Sequence, residues 1–121
     1  MLNLIKSFIK ISSFLLLVVI TITIFSLPFQ VLGVENMKGK ELFTQNCSGC
    51  HVKGGNIIRR GKTLKLSSLE RNGISNPEAI AEIARNGVGI MSGYEEVLGE
   101  GGDQLVAEWI WEEAQNAWIH G

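Results

Sequence analysis

The chain is poor in cysteine, with two among 121 residues, Cys47 and Cys50. No further thiol exists to build a disulfide framework or a four-thiolate zinc site. Positive charge is not in excess either. Eleven basic and twelve acidic side chains give a formal net charge of −1, so no basic surface argues for nucleic acid as a partner. Convincing stretches of strand-like alternation are missing, which removes the βαβ context that thiol redox proteins need. Charge is scarce at the N-terminus, where Lys6 and Lys10 are the only charged side chains before Glu35. The length leaves room for one domain.

Both cysteines lie in one short run, Cys47-Ser48-Gly49-Cys50-His51. Two thiols three residues apart followed at once by an imidazole is the attachment pattern of a c-type haem. On one helical turn the two sulfurs can reach the two vinyl groups and form thioethers. The next side chain is then aimed at the iron from one face, which makes His51 the expected proximal ligand.

The positive mean hydropathy arises mostly from the first thirty residues. Lys6 and Lys10 form a basic n-region, and residues 11–29 are apolar or hydroxylic, as in an export signal. Pro28 is placed to break the apolar helix. Val31 and Gly33 occupy the −3 and −1 positions of a cleavage site, with the mature chain starting near Val34. The expected organisation is a signal peptide over 1–33 and a cytochrome domain over 34–121. The alternative is an uncleaved anchor, because the apolar stretch is almost long enough to span a bilayer. Both readings put the domain on the far side of a membrane, where haem is attached to such motifs. Removing residues 1–33 leaves 88 residues carrying nine basic and twelve acidic groups, a net charge of −3. That is a small core, which a buried macrocycle would supplement.

Residues 36–46 read as a helix starting at Asn36. Gly39 and Phe43 share one face, so that Gly39 admits a second helix and Phe43 packs beside it. Ile57, Ile58 and Leu64 read as loop residues covering the haem edge. Arg59, Arg60, Lys62 and Lys65 form a basic run, either a solvated loop or a propionate- or partner-pairing patch. A short helix over 67–72 stops at Gly73. Another starts at an Asn76 N-cap with Pro77 at its first position and ends at Gly87, with Ile80, Ile83 and Ala84 on its apolar face. The last helix runs from Asp103 to about Trp118. Its Trp109 and Ile110 face Gly39 and Phe43, Trp111 and Trp118 are partly exposed, and His120 frays with the terminus.

The second informative stretch is the glycine-rich run from Gly87 to Tyr94, which presents Met91 in a loop. Met1 leaves with the leader, and Met37 sits on the helix before the motif, poorly placed for the opposite haem face. Met91 follows His51 by forty residues, enough chain to wrap around, and is the expected sixth ligand. Such His/Met ligation raises the potential relative to two histidines. With both axial positions filled, small molecules are kept off the iron. The expectation is a one-electron carrier with no small-molecule substrate, rather than an enzyme. The competing reading is a haem-based redox or gas sensor with a labile methionine. Thiol redox and zinc readings explain the motif less well.

Taken together, a Gly39/Phe43 helix, the Cys47–His51 motif, Gly54-Gly55, Lys62-Thr63-Leu64, a glycine-rich Met91 loop and an aromatic C-terminal helix ending Gln115-Asn116-Ala117-Trp118 resemble the cytochrome c6 family. The likeness covers residues 36–118. It implies an all-α class I cytochrome c fold, four to five helices around one covalently attached haem c. It implies attachment at Cys47 and Cys50 and axial ligation by His51 and Met91. It also implies a soluble carrier in the thylakoid lumen or periplasm of a cyanobacterium, taking electrons from the cytochrome b6f complex toward photosystem I or a terminal oxidase. Membrane contact would come only through partners unless the leader is retained. Three positions depart from the usual pattern: Ser92 replaces a proline after the methionine, a loop proline near Arg60 is missing, and Ile83 stands where a glutamine usually lies beside the haem. These departures look more like the c6B and c6C branches.

Overall fold

A computed structural model describes residues 1–26 and 28–120. The chain divides into two compact units, Met1–Val34 and Glu35–Gly121. The first is dominated by helix α1, Leu2–Ser26, in which Ile5–Thr23 is long and apolar enough to cross a membrane. Within it the Thr21 hydroxyl donates to the Leu17 carbonyl at 3.1 Å and Thr23 to Val19 at 3.0 Å. Polar side chains thereby find partners on their own helix, which an apolar surrounding requires. Helix α2 covers Pro28–Asn46, so Asn36 lies inside a helix and does not begin one. Its amide instead donates to the Glu112 carboxylate. The side chains of Pro28 and Val31, on which the leader reading draws, lie outside the described residues.

In the second unit a 3₁₀ turn, Val52–Gly54, follows the cysteine motif, and then come α3 (Leu66–Arg71), α4 (Pro77–Asn86), strands β1 (Gly87–Val88) and β2 (Met91–Ser92), α5 (Glu95–Leu98) and α6 (Gly102–Gln115). Helix α4 starts as its sequence dictates. The Asn76 side chain accepts from the Ala79 amide at 2.9 Å, Pro77 occupies the first turn, and Gly87 ends the helix at φ +78°, a conformation glycine adopts without a Cβ penalty. The pair β1–β2 is antiparallel, with Val88 opposite Met91 and Gly87 opposite Ser92. Helix α5 and this hairpin are additions to what the sequence pattern indicated.

The core gathers on α6, which buries Val106, Ala107, Trp109, Ile110 and Ala114 along one stripe, the spacing of an amphipathic helix. Helix α4 lays Ile80, Ala81 and Ala84 against it, with Ile83 half-buried. Gly39 of α2 meets α6 where a Cβ would collide with the Leu105 carbonyl and lie 2.8 Å from the Trp109 Cβ. Phe43, one turn later, packs on Trp109 with ring centroids 4.7 Å apart and on Trp118 at 5.4 Å. Trp109 and Trp118 meet edge to face at 5.6 Å. Such tilted pairs add about 0.5–1.5 kcal/mol each beyond the area they bury.

Trp118 is therefore a core residue, 6 % exposed, against the expectation of partial exposure; Trp111 is half-buried as expected. The reason lies in how α6 ends. The helix stops at Gln115, Ala117 takes φ +54°, and the Trp118 amide returns to the Glu113 carbonyl at 2.8 Å. This is a Schellman closure with alanine at the left-handed position that glycine usually fills. The tail beyond is held as well. The His120 amide donates to Glu113 at 3.3 Å, its Nδ1 lies 3.5 Å from the same carboxylate, and the Lys40 ammonium donates to the His120 carbonyl at 3.2 Å. His120 is tied down rather than frayed.

Candidate functional site

The cysteine motif continues the last turn of α2. The Cys47 amide donates to the Phe43 carbonyl at 2.8 Å, and the Cys50 and His51 amides both return to the Cys47 carbonyl, at 3.1 and 2.9 Å. Both thiols are free, Cys47 half-buried and Cys50 exposed. Burial, with a smaller contribution from Cys50, pushes the Cys47 thiol up to about 11. A redox-active thiol is activated by a lowered pKa, so this environment does not suit the thiol redox reading. Among the described residues no group of three or more His, Cys, Asp or Glu side chains is arranged to hold a metal ion.

The chain then turns back over His51. The Gly54 amide donates to the His51 carbonyl at 3.0 Å, and Ile57 donates to Cys50 at 3.0 Å. The His51 Nδ1 lies 2.9 Å from the Gly55 carbonyl oxygen. A carbonyl can only accept, so Nδ1 is the donor of this bond, which in the neutral ring leaves Nε2 as the acceptor nitrogen. An imidazole fixed through one nitrogen presents the other to a metal with ring orientation and basicity already set. Gly54 is buried at φ +70°, and the Trp118 indole fills the space a Cβ would need. The same indole donates through Nε1 to the Leu64 carbonyl at 3.1 Å, and the Leu64 amide donates to Gly54 at 2.8 Å. A C-terminal aromatic thus braces the loop that orients His51.

Met91 lies on β2, half-buried, in the hairpin that follows α4. It is a strand residue, not the loop residue expected. Gly93 is required beside it, because a side chain there would strike the Arg85 carbonyl and sit 2.9 Å from the Asn86 carbon. The Tyr94 amide donates to the Ala84 carbonyl at 2.9 Å. Both ends of the hairpin are thereby fastened to the last turn of α4. That turn is itself fixed to α6, where the Arg85 Nε donates to Asp103 Oδ2 at 2.9 Å and its Nη2 bonds the same oxygen.

The structure gathers Cys47, Cys50 and His51 on one turn and keeps Met91 on a separate element. Leu64 packs on the core, whereas Ile57 and Ile58 are 68 % and 61 % exposed. Arg59, Arg60, Lys62 and Lys65 are all exposed. Their loop is shaped by Asn56, which accepts from Ile58 and Arg59 and donates to the Lys62 carbonyl at 3.0 Å. Sequence reasoning missed Trp118, Gly93 and the Arg85–Asp103 pair. No glycine marks the turn that buries Trp118, and an Arg and an Asp eighteen residues apart carry no local signal.

A family model described as cytochrome C oxidase, cbb3-type, subunit III, matches residues 34–110. A cytochrome c6-like protein of Nostoc sp. PCC 7120 is 41 % identical over 87 residues, covering 71 % of this chain and 78 % of that protein. Cytochrome c6 of Synechocystis sp. PCC 6803 is 36 % identical over 95 residues, covering 78 % and 79 %. The chain belongs to the cytochrome c6 family. Among solved structures, cytochrome c6B from Synechococcus sp. WH8102 is 67 % identical with a TM-score of 0.67, covering 69 % of this chain and 96 % of that one. Cytochrome c6C from Synechococcus sp. PCC 7002 is 39 % identical with a TM-score of 0.63, covering 65 % and 96 %. The all-α class I cytochrome c fold expected from the resemblance is borne out, as is the likeness to the c6B and c6C branches. Cytochrome c6 proteins carry one covalent c-type haem and act in photosynthetic electron transport. The donors present suit that group: two free sulfurs three residues apart, an imidazole whose Nδ1 is tied back to a carbonyl, and a thioether on a hairpin.

Proposed function

We propose that this cytochrome is a one-electron carrier in which Cys47 and Cys50 form the haem thioethers while His51 and Met91 occupy the two axial positions. The haem, when bound, supplies a ferric/ferrous couple. The Gly55 carbonyl holds His51 in the tautomer that offers Nε2 to iron. The Met91 thioether favours the ferrous state relative to a second histidine and keeps exogenous ligands from the other face. The observation that carries the reading is the Nδ1 bond from His51 to Gly55. A histidine oriented from behind, directly after two free cysteines on one turn, has the supporting bond that metal-ligating imidazoles show. In this reading residues 1–33 are the export leader, and the domain works in the thylakoid lumen or periplasm. It passes electrons from the cytochrome b6f complex toward photosystem I or another acceptor such as a terminal oxidase. A redox titration of the holoprotein tests the route: a potential well below that of plastocyanin-type carriers removes the path from b6f to photosystem I as its main role.

The exposed hairpin tip favours a second reading, a sensor in which Met91 is displaced by a gas. Val88 and Ile90 are 59 % and 64 % exposed, so little covers the turn that would open. Carbon monoxide added to the reduced protein at neutral pH separates the two. An unchanged spectrum supports the carrier, and a carbonyl spectrum supports the sensor.

A further inference from the structure

We infer that Arg85 and Asp103 form a clamp that holds the Met91 hairpin closed, making both of them positioning residues that govern how readily Met91 is displaced from iron. The inference rests on the reading of Met91 as an axial ligand. Its physical basis is the narrow attachment of the hairpin. Strand β1 begins as α4 ends, its Gly87 amide still bonded to the Ile83 carbonyl. The chain returning from β2 is fastened to the same turn by the bond from the Tyr94 amide to the Ala84 carbonyl, and Gly93 packs closely on the Arg85 carbonyl. Whatever moves residues 84–86 therefore moves Met91.

What restrains that turn is a charged fork on a buried acceptor. Asp103 is 9 % exposed and is the second residue of α6, where the unpaired amides of a helix start favour a carboxylate. Arg85 reaches it through two nitrogens. Such charge-assisted bonds are stronger and more directional than neutral ones. Arg85 is also the one lysine or arginine between positions 72 and 121, a stretch that holds nine acidic residues. Glu82 and Glu95 lie close enough to act on its charge. Removing the guanidinium leaves the Asp103 carboxylate without its counterion at the start of α6, which loosens the end of α4 from it.

The test uses ferric holoprotein titrated with imidazole, following loss of the weak near-infrared sulfur-to-iron band. Asp103→Asn removes the charge at nearly constant shape. Arg85→Lys keeps the charge and loses the fork. The control is Asn76→Ala, which removes the N-cap at the far end of the same helix and lowers stability without touching the hairpin. Asp103→Asn is expected to bind imidazole roughly three- to tenfold more tightly than the wild type, the equivalent of one ordinary net hydrogen bond. Arg85→Lys should shift the affinity in the same direction by less, and Asn76→Ala should leave it within about twofold. Unchanged affinity in both clamp variants, or an equal rise in Asn76→Ala, overturns the clamp alone. A wild type without the band overturns the Met91 reading and the clamp with it.

Discussion

His51 sits where the chain closes on itself several times over, whereas Met91 hangs from one helix turn. Around His51, backbone bonds from Gly54, Ile57 and Leu64, the Nδ1 bond to Gly55 and the Trp118 indole all converge within one short loop. Around Met91, two paired residues on each side make the hairpin, its tip faces solvent, and the anchoring turn depends on an ion pair whose arginine side chain is 46 % exposed. Interactions spread over many buried groups fail together or not at all. One attachment resting on a partly solvated pair can open locally while the fold stays intact. Under the ligation proposed above, the imidazole would be the fixed ligand and the thioether the one whose hold is adjustable.

The most severe way to break this contrast is to weaken the rigid side. Trp118→Ala removes a buried aromatic that touches Phe43, Trp109 and Gly54. It should cost about 3–5 kcal/mol, lowering the melting temperature of the holoprotein by more than about 10 °C. A loss below about 1 kcal/mol would mean that the loop over His51 holds without its brace.

A smaller effect concerns acid. The bond from Arg85 outweighs the opposing effect of burial and keeps the Asp103 carboxyl below its ordinary value of 3.8. The unfolded chain binds this proton at higher pH than the folded one. The contribution of Asp103 is thus complete above its unfolded pKa and is lost as pH falls through the lower folded value. Denaturation curves of the wild type and Asp103→Asn should therefore be fully separated above about pH 4, with the wild type more stable, and draw together progressively as pH falls below it. Curves that stay parallel across that range would remove the pair as a pH-dependent restraint.

The subtlest change sharpens the comparison at the haem edge. Ile83 lies half-buried on α4, one turn before the hairpin, at the position where the resemblance to cytochrome c6 implies a glutamine. Ile83→Gln introduces a donor that favours the electron-rich reduced state and should raise the potential by roughly 20–60 mV, the equivalent of one modest hydrogen bond for a one-electron couple. A fall in potential would show that lost apolar burial dominates instead.

Much of this is legible in the sequence. The export-like stretch, the haem motif, the N-cap at Asn76, the stop at Gly87 and the meeting of Gly39 with Trp109 all follow from local chemistry at fixed spacings. The bounds of the last helix did not, because Ala117 adopts a left-handed conformation that its residue type does not advertise. Asn36 looks like a cap, but the helix passes through it from Pro28. The hairpin at Met91 pairs only two residues per strand, too few for alternation to register. The Arg85–Asp103 pair and the Trp118 brace are tertiary contacts between elements far apart in sequence.

The near-infrared absorption of the ferric holoprotein bears most directly on the central claim, that His51 and Met91 close the two faces of one haem held by Cys47 and Cys50. A weak sulfur-to-iron band in the wild type that disappears in Met91→Ala, with the covalent haem retained, is the expected result. No band in the wild type, or a band that survives in Met91→Ala, would contradict it.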